Sequence, residues 1–254
     1  MTDLPAVAPT PSTSNRVAEC FKEQMMEVYD RIDDIIDDSD KISKALDLAF
    51  RLLVEEVIEG FRVYELVEEQ DKKYSDLVPF KIKVRKAENV TGPFTFIGVA
   101  VIQKKGNALT SALSKLVDFN NLKQTRACMV RSENITGATA QNHALTLLNN
   151  GGEWVGIVAE QIAPLLALQA LAEKAEKLEQ YELTPEQVME YVDSEKLLTE
   201  NALIKEILSK PEGKPPKNAK PSDINKLASI PQSLSVQDNG EDSDLQADDS
   251  LLTE

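Results

Sequence analysis

A single histidine, His143, in a chain of 254 residues leaves no material for a histidine-built metal centre or a histidine-based acid–base triad. Only two cysteines are present, Cys20 and Cys128, far apart in the sequence. Two lone thiols cannot staple a small secreted domain; they fit a reducing, cytoplasmic setting and read as small buried apolar side chains. Aromatic residues make up 5% of the chain, so any core must be aliphatic. The ten glycines compose no GxxxxGK[ST], no GxGxxG and no GxSxG, which leaves out the usual phosphate-cradling loops and the nucleophile elbow. The most apolar window, residues 154–172, is interrupted by Glu160, Gln161, Pro164 and Gln169, and reads as a buried segment with no membrane partner. The first residues lack the basic start and apolar run of a secretory signal. These absences point to a non-enzyme with no cofactor and no metal.

What is abundant is acid, and it is unevenly spread. The formal net charge is −15. Residues 1–78 carry 9 Lys+Arg against 19 Asp+Glu, net −10, and residues 132–254 carry 9 against 22, net −13. Residues 79–131 reverse the sign with 10 against 2, net +8. After Lys226 no basic residue occurs, while Asp238, Glu241, Asp242, Asp244, Asp248, Asp249 and Glu254 accumulate. Such a stretch has too little apolar surface to offset the entropy of ordering it.

Periodicity divides the chain further. Residues 1–15, rich in Pro, Ala, Ser and Thr, read as a disordered leader. Ala18, Phe21, Met25, Val28, Ile32 and Ile35 recur at spacings of three and four, a coiled-coil-like seam. The knot Asp37-Asp38-Ser39-Asp40 then supplies a turn and a helix cap. A second helix is expected over 41–71, with Leu46, Leu53, Val57, Phe61 and Tyr64 on its apolar stripe. Residues 16–78 would thus form a helical hairpin whose wide stripes require a further partner, from the C-terminal helices of the same chain or from another copy; the expectation is a homodimer or higher oligomer through residues 16–72.

Beyond Tyr74 the period falls to two: Phe80, Ile82 and Val84 alternate with Lys81, Lys83 and Arg85. A strand over 94–102, a short helix over 108–117, a strand over 125–131 and a helix over 138–148 complete a basic unit spanning 79–152. Residues 154–158 fit either a strand or a helix start, and Pro164 suggests a helix entering there and running to about 180. Thr184-Pro185-Glu186-Gln187 is a capping-box start for further helices, so 153–209 reads as C-terminal helices and 210–254 as a Lys/Pro linker and disordered acidic tail. The fold class expected is α+β, predominantly α.

Two acidic spacings are compatible with magnesium and a diphosphate: Asp33-Asp34-Ile35-Ile36-Asp37 and Glu55-Glu56-Val57-Ile58-Glu59. A helical phosphohydrolase would need convergent carboxylates from further helices, and the basic centre offers only Glu88 and Asp118. The leading expectation is non-enzymatic binding of nucleic acid, single-stranded DNA above all. Phosphates would be met by Lys81, Lys83, Arg85, Lys86, Lys104, Lys105, Lys123, Arg126 and Arg131, with Phe94 or Phe96 available for stacking. The tail would compete for that surface and recruit basic proteins when displaced. The alternative expectation is a self-assembling scaffold that uses its helices.

Overall fold

The computed structural model describes residues 13–228, apart from 174, 211–214 and 217. Its centre is a mixed sheet of six strands in sequential order: β1 (Val57–Ile58), β2 (Phe61–Glu68), β3 (Phe80–Lys86), β4 (Thr95–Val101), β5 (Arg126–Arg131) and β6 (Glu153–Gly156). The first four strands run antiparallel to their neighbours and the last three are mutually parallel. Parallel neighbours need crossovers. These are α4 (Gly106–Leu116), between β4 and β5, and α5 (Ala138–Asn149), between β5 and β6.

The helices α1 (Thr13–Tyr29), α2 (Ile32–Ile35) and α3 (Ser39–Leu52) precede the sheet, and α6 (Ala159–Glu173), α7 (Ala175–Gln180), α8 (Pro185–Ser194) and α9 (Ala202–Leu208) follow it. One sheet face, built from Val63, Ile82, Val84, Ile97, Val99, Cys128, Val130 and Val155, packs with Phe21 of α1, Leu46 and Phe50 of α3, and α6. Among the described residues the other face is covered at the start of β3, where Lys81 is buried, and over β4–β6. There Ala100, Ile102, Ala127, Met129 and Trp154 pack against Leu113 of α4, Ala144 and Leu147 of α5, and Ile224. Strands buried on both faces lose their alternation, which is why Phe94–Ile102 and Arg126–Arg131 read as continuous apolar runs. Both cysteines are fully buried, as their isolation suggested.

Local signals hold at the caps. Asp38 caps α3 by accepting from the amides of Asp40 and Lys41. Thr184 accepts from the Gln187 amide while the Gln187 side chain accepts from the Thr184 amide, closing the box that starts α8. Gly151, at φ +85°, ends the turn after α5 in a conformation that a side chain resists.

The helix expected over 41–71 is corrected. It ends at Leu52, and Val57–Glu68 are strands joined by Glu59 at φ +49° and Gly60 at φ +77°. Leu53, Val57, Phe61 and Tyr64 mimic a helical stripe, but a two-residue turn at Glu59-Gly60 is a hairpin signal, and it wins. The strand β2 pairs with β3, so residues on both sides of position 79 share one sheet. No helical hairpin stands alone: α1 and α3 each pack against α6, which is buried nearly all round. Leu53 is buried and Val57 is exposed. Of the residues on the expected stripes, Phe21, Val28, Leu46 and Leu53 are covered from within the chain, while Val57 is not. Pro164 lies inside α6, which starts at Ala159, five residues before the expected entry. The carbonyl left without its helical donor belongs to exposed Glu160, on the first turn. Residues 153–156 resolve as strand.

Within the stretch read as linker, Pro221–Lys226 forms a 3-10 turn against α5, with Ile224 fully buried. Asn225 clasps the backbone of Ile135 from both sides, its Oδ1 accepting from the amide at 2.8 Å and its Nδ2 donating to the carbonyl at 3.2 Å. Most of the expected leader and the whole acidic tail lie outside the described residues; Thr13, Ser14 and Asn15 open α1. Among the described residues no helix is long and apolar enough to cross a membrane.

Candidate nucleic-acid interface

The alternation in β3 puts Ile82 and Val84 in the large core and Lys83 and Arg85 on the opposite face. On that face no residue of β2 or β3 belongs to the second core cluster. This half of the sheet holds Tyr64, Lys83, Arg85, Phe94 and Phe96, all half-buried. Tyr64 meets Phe94 edge-on, with centroids 5.0 Å apart and planes at 83°. The Lys83 ammonium sits 4.5 Å from the Phe94 centroid, and the Arg85 guanidinium carbon lies 3.7 Å from Phe94 and 5.3 Å from Tyr64. The attraction of a cation to an aromatic face fixes both groups against the rings. Lys83 also pairs with Glu65 at 2.6 Å, and Arg85 donates to the Val90 carbonyl while its Nε, shielded from solvent, has no hydrogen-bond partner.

Of the nine basic residues singled out in the sequence, Lys83 and Arg85 share this face, and Lys86, next along β3, lines a cleft with Arg85. Lys86 is 57% exposed and faces Glu88 at 3.7 Å, a long surface pair worth little. Lys123 stands exposed in the turn before β5, at φ +49°. Three others lie inside. Lys81 pairs with Glu69 at 2.8 Å and donates to the Leu122 carbonyl. Burial pushes the Glu69 carboxyl up, but hydrogen bonds from Lys81 and from the amides of Asp71 and Gln70 reverse this and hold it below its ordinary value. Arg131, 2% exposed, donates to the carbonyls of Ile102 and Lys104 and fixes the end of β4. Its burial lowers its pKa. Arg126, 6% exposed, binds Glu153 and the carbonyls of Ile207 and Ser209, tying the end of α9 to the sheet. Burial raises Glu153 to about 7 against the opposing pull of Arg126, and pushes the Cys128 thiol beside it well up.

Lys104 and Lys105 belong to the other end of β4. Lys105 pairs with Glu133 at 2.7 Å, and Lys104 lines a cleft with Asp40 and Asp76. The acidic spacings do not converge: Asp33, Asp34 and Asp37 are exposed around α2, and Glu55, Glu56 and Glu59 fall in the turns of the β1–β2 hairpin. Among the described residues no three acidic, histidine or cysteine side chains group as a metal site.

Sequence reasoning missed two contributors. Tyr64 looked like part of a helical stripe, although strand alternation through Phe61–Glu68 would have placed it. Lys210 had no local signal at all; it lines a cleft of about 490 Å³ with Arg85, Lys86, Thr95, Thr125 and Arg126, entered between the β3–β4 loop and the starts of β4 and β5. No family model, no curated protein and no solved structure matches the chain.

Proposed function

We propose that the protein binds single-stranded nucleic acid, DNA above all, on the uncovered half of its sheet. The observation that carries this reading is the juxtaposition of Tyr64 and Phe94 with Lys83 and Arg85 on a face without a helical cover among the described residues. Single strands are held by such pairings, because every base has a face to stack and every nucleotide a phosphate to neutralise. The cleft, which no carboxylate lines among the described residues, extends the positive surface through Arg85, which belongs to both. The acidic tail, Gln237–Glu254, competes for the same surface and offers a docking segment to basic proteins when displaced.

Fluorescence anisotropy with single- and double-stranded oligonucleotides over a salt series tests the reading. Four phosphates contacted give a logarithmic salt slope of roughly −3 for single strands. Phe94→Ala removes a stacking platform and weakens binding by about 1–3 kcal/mol. A chain ended before Gln237 binds more tightly than the full chain. Absence of single-strand binding at low salt overturns the proposal, and unchanged affinity on truncation removes the tail from it.

A further inference from the structure

We infer that the cleft beside the half-face seats a terminal phosphomonoester, so that the protein prefers a strand with a phosphorylated end. This rests on the nucleic-acid reading above and adds a position to it. Volume comes first: about 490 Å³ is the size of a small-ligand site, room for one nucleotide rather than a duplex.

Charge comes second. Among the described residues four cationic side chains line the cleft and no carboxylate does. Arg126 is matched by Glu153 and Lys86 faces Glu88 at 3.7 Å, which leaves Arg85 and Lys210 as the charges with no carboxylate partner among the described residues. A backbone phosphodiester carries one negative charge, whereas a terminal monoester carries about −1.5 to −2 at neutral pH and three acceptor oxygens. A concentration of cations therefore selects the end over the interior of a strand.

Unused donors come third. The shielded Nε groups of Arg85 and Arg126 both lack a hydrogen-bond partner, and both residues line the cleft. The remaining nitrogens of Arg126 are fixed by Glu153 and by the end of α9, so its guanidinium is held in place without a ligand. A guanidinium fixed in this way keeps its charge at the cleft wall without reorganisation when an anion arrives.

Position comes last. The half-face lies over β2–β4, and the cleft continues from it at Arg85, past Thr125, to Gly151 in the turn before β6. The C-terminal dipole of α5 opposes an anion there. Its last carbonyls, however, are already capped: Thr146 by the Asn150 amide, Leu148 by Gly151 and Leu147 by Gly152.

The test compares one oligonucleotide sequence bearing a 5′-phosphate, a 3′-phosphate or hydroxyls at both ends, by anisotropy on the full chain. The expected result is at least a tenfold preference for one phosphorylated end. Lys210→Glu, an exposed change off the half-face, abolishes that preference. Titration of isotope-labelled protein with a nucleoside monophosphate then shifts the amide resonances of Thr95, Thr125 and Gly151. Equal affinity for all three oligonucleotides, or a preference that Lys210→Glu leaves intact, overturns the seat while the half-face reading stands. Failure of every oligonucleotide to bind overturns both.

Discussion

Glu153→Gln, studied against pH, separates burial from ion pairing at the centre of the fold. Glu153 and Arg126 are 6% exposed each, and burial lifts the carboxyl from 4.5 to about 7 despite the guanidinium beside it. Between those two values the folded protein keeps a proton that the unfolded chain has released. Stability attributable to this group therefore falls as pH rises through the window. At about 1.4 kcal/mol per pH unit the whole window amounts to about 3 kcal/mol, most of it between about pH 5 and pH 8. Glutamine stands in for the protonated acid and shows none of this dependence. Urea unfolding of both proteins at several pH values isolates the effect, since every other titrating group cancels in the difference. The variant should gain on the wild type by about 2–3 kcal/mol from pH 5 to pH 8. A difference flat to within about 0.5 kcal/mol, or wild type gaining with pH, refutes the reasoning and means that Arg126 dominates the pair.

Three further outcomes follow from the packing. Lys81→Ala leaves Glu69 without its ammonium and costs about 3–5 kcal/mol in chemical denaturation, while the salt slope of oligonucleotide binding stays that of the wild type. Leu53→Ala, in the core, costs about 2–5 kcal/mol, whereas Val57→Ala, at an exposed strand position, stays within about 0.5 kcal/mol; equal losses in thermal melts would restore the helical stripe. A methyl group at Gly98 would stand 1.8 Å from Gln124 Oε1 and 3.2 Å from Val78 Cγ1, so Gly98→Ala destabilises by about 1–3 kcal/mol, and an unchanged melting temperature means that Gln124 swings clear.

Sequence and structure part company for identifiable reasons. The alternation of β3 was legible because one of its faces meets the core along its length and the other does not. The caps at Asp38 and Thr184 were legible because they are local, three residues deciding the outcome. The strand β2 was hidden by coincidence: its apolar residues and those just before it fall at spacings that also fit a helix, and only Glu59-Gly60 argued otherwise. The fate of the basic residues was hidden by distance. Lys81, Arg126 and Arg131 have the same sequence character as Lys83 and Arg85, but their partners include Leu122, Ile207 and Ile102, tens of residues away. Arg126 and Arg131 bracket an apolar run, Ala-Cys-Met-Val, and arginines at the ends of a buried strand are placed to hold backbone carbonyls. The charge segregation was real in sequence, yet folding turns part of it inward.

The contact of α1 with α6 and α8 fixes when this molecule can be finished. Arg16, at the beginning, pairs with Glu182, and Phe21 packs its ring against Tyr191 at 5.9 Å. A chain emerging from the ribosome has α1, α3 and the first five strands available before α6 exists. The first 152 residues carry one apolar sheet face that α1 and α3 cover only in part before α6 and its followers complete it. Contacts so distant in sequence are costly to form early and slow to form at all. The growing chain therefore passes through a long interval with that face partly open, and a fragment cut at 152 should aggregate instead of folding. Completion is a C-terminal event, and the same last step brings Ser209 to Arg126 and Lys210 to the cleft.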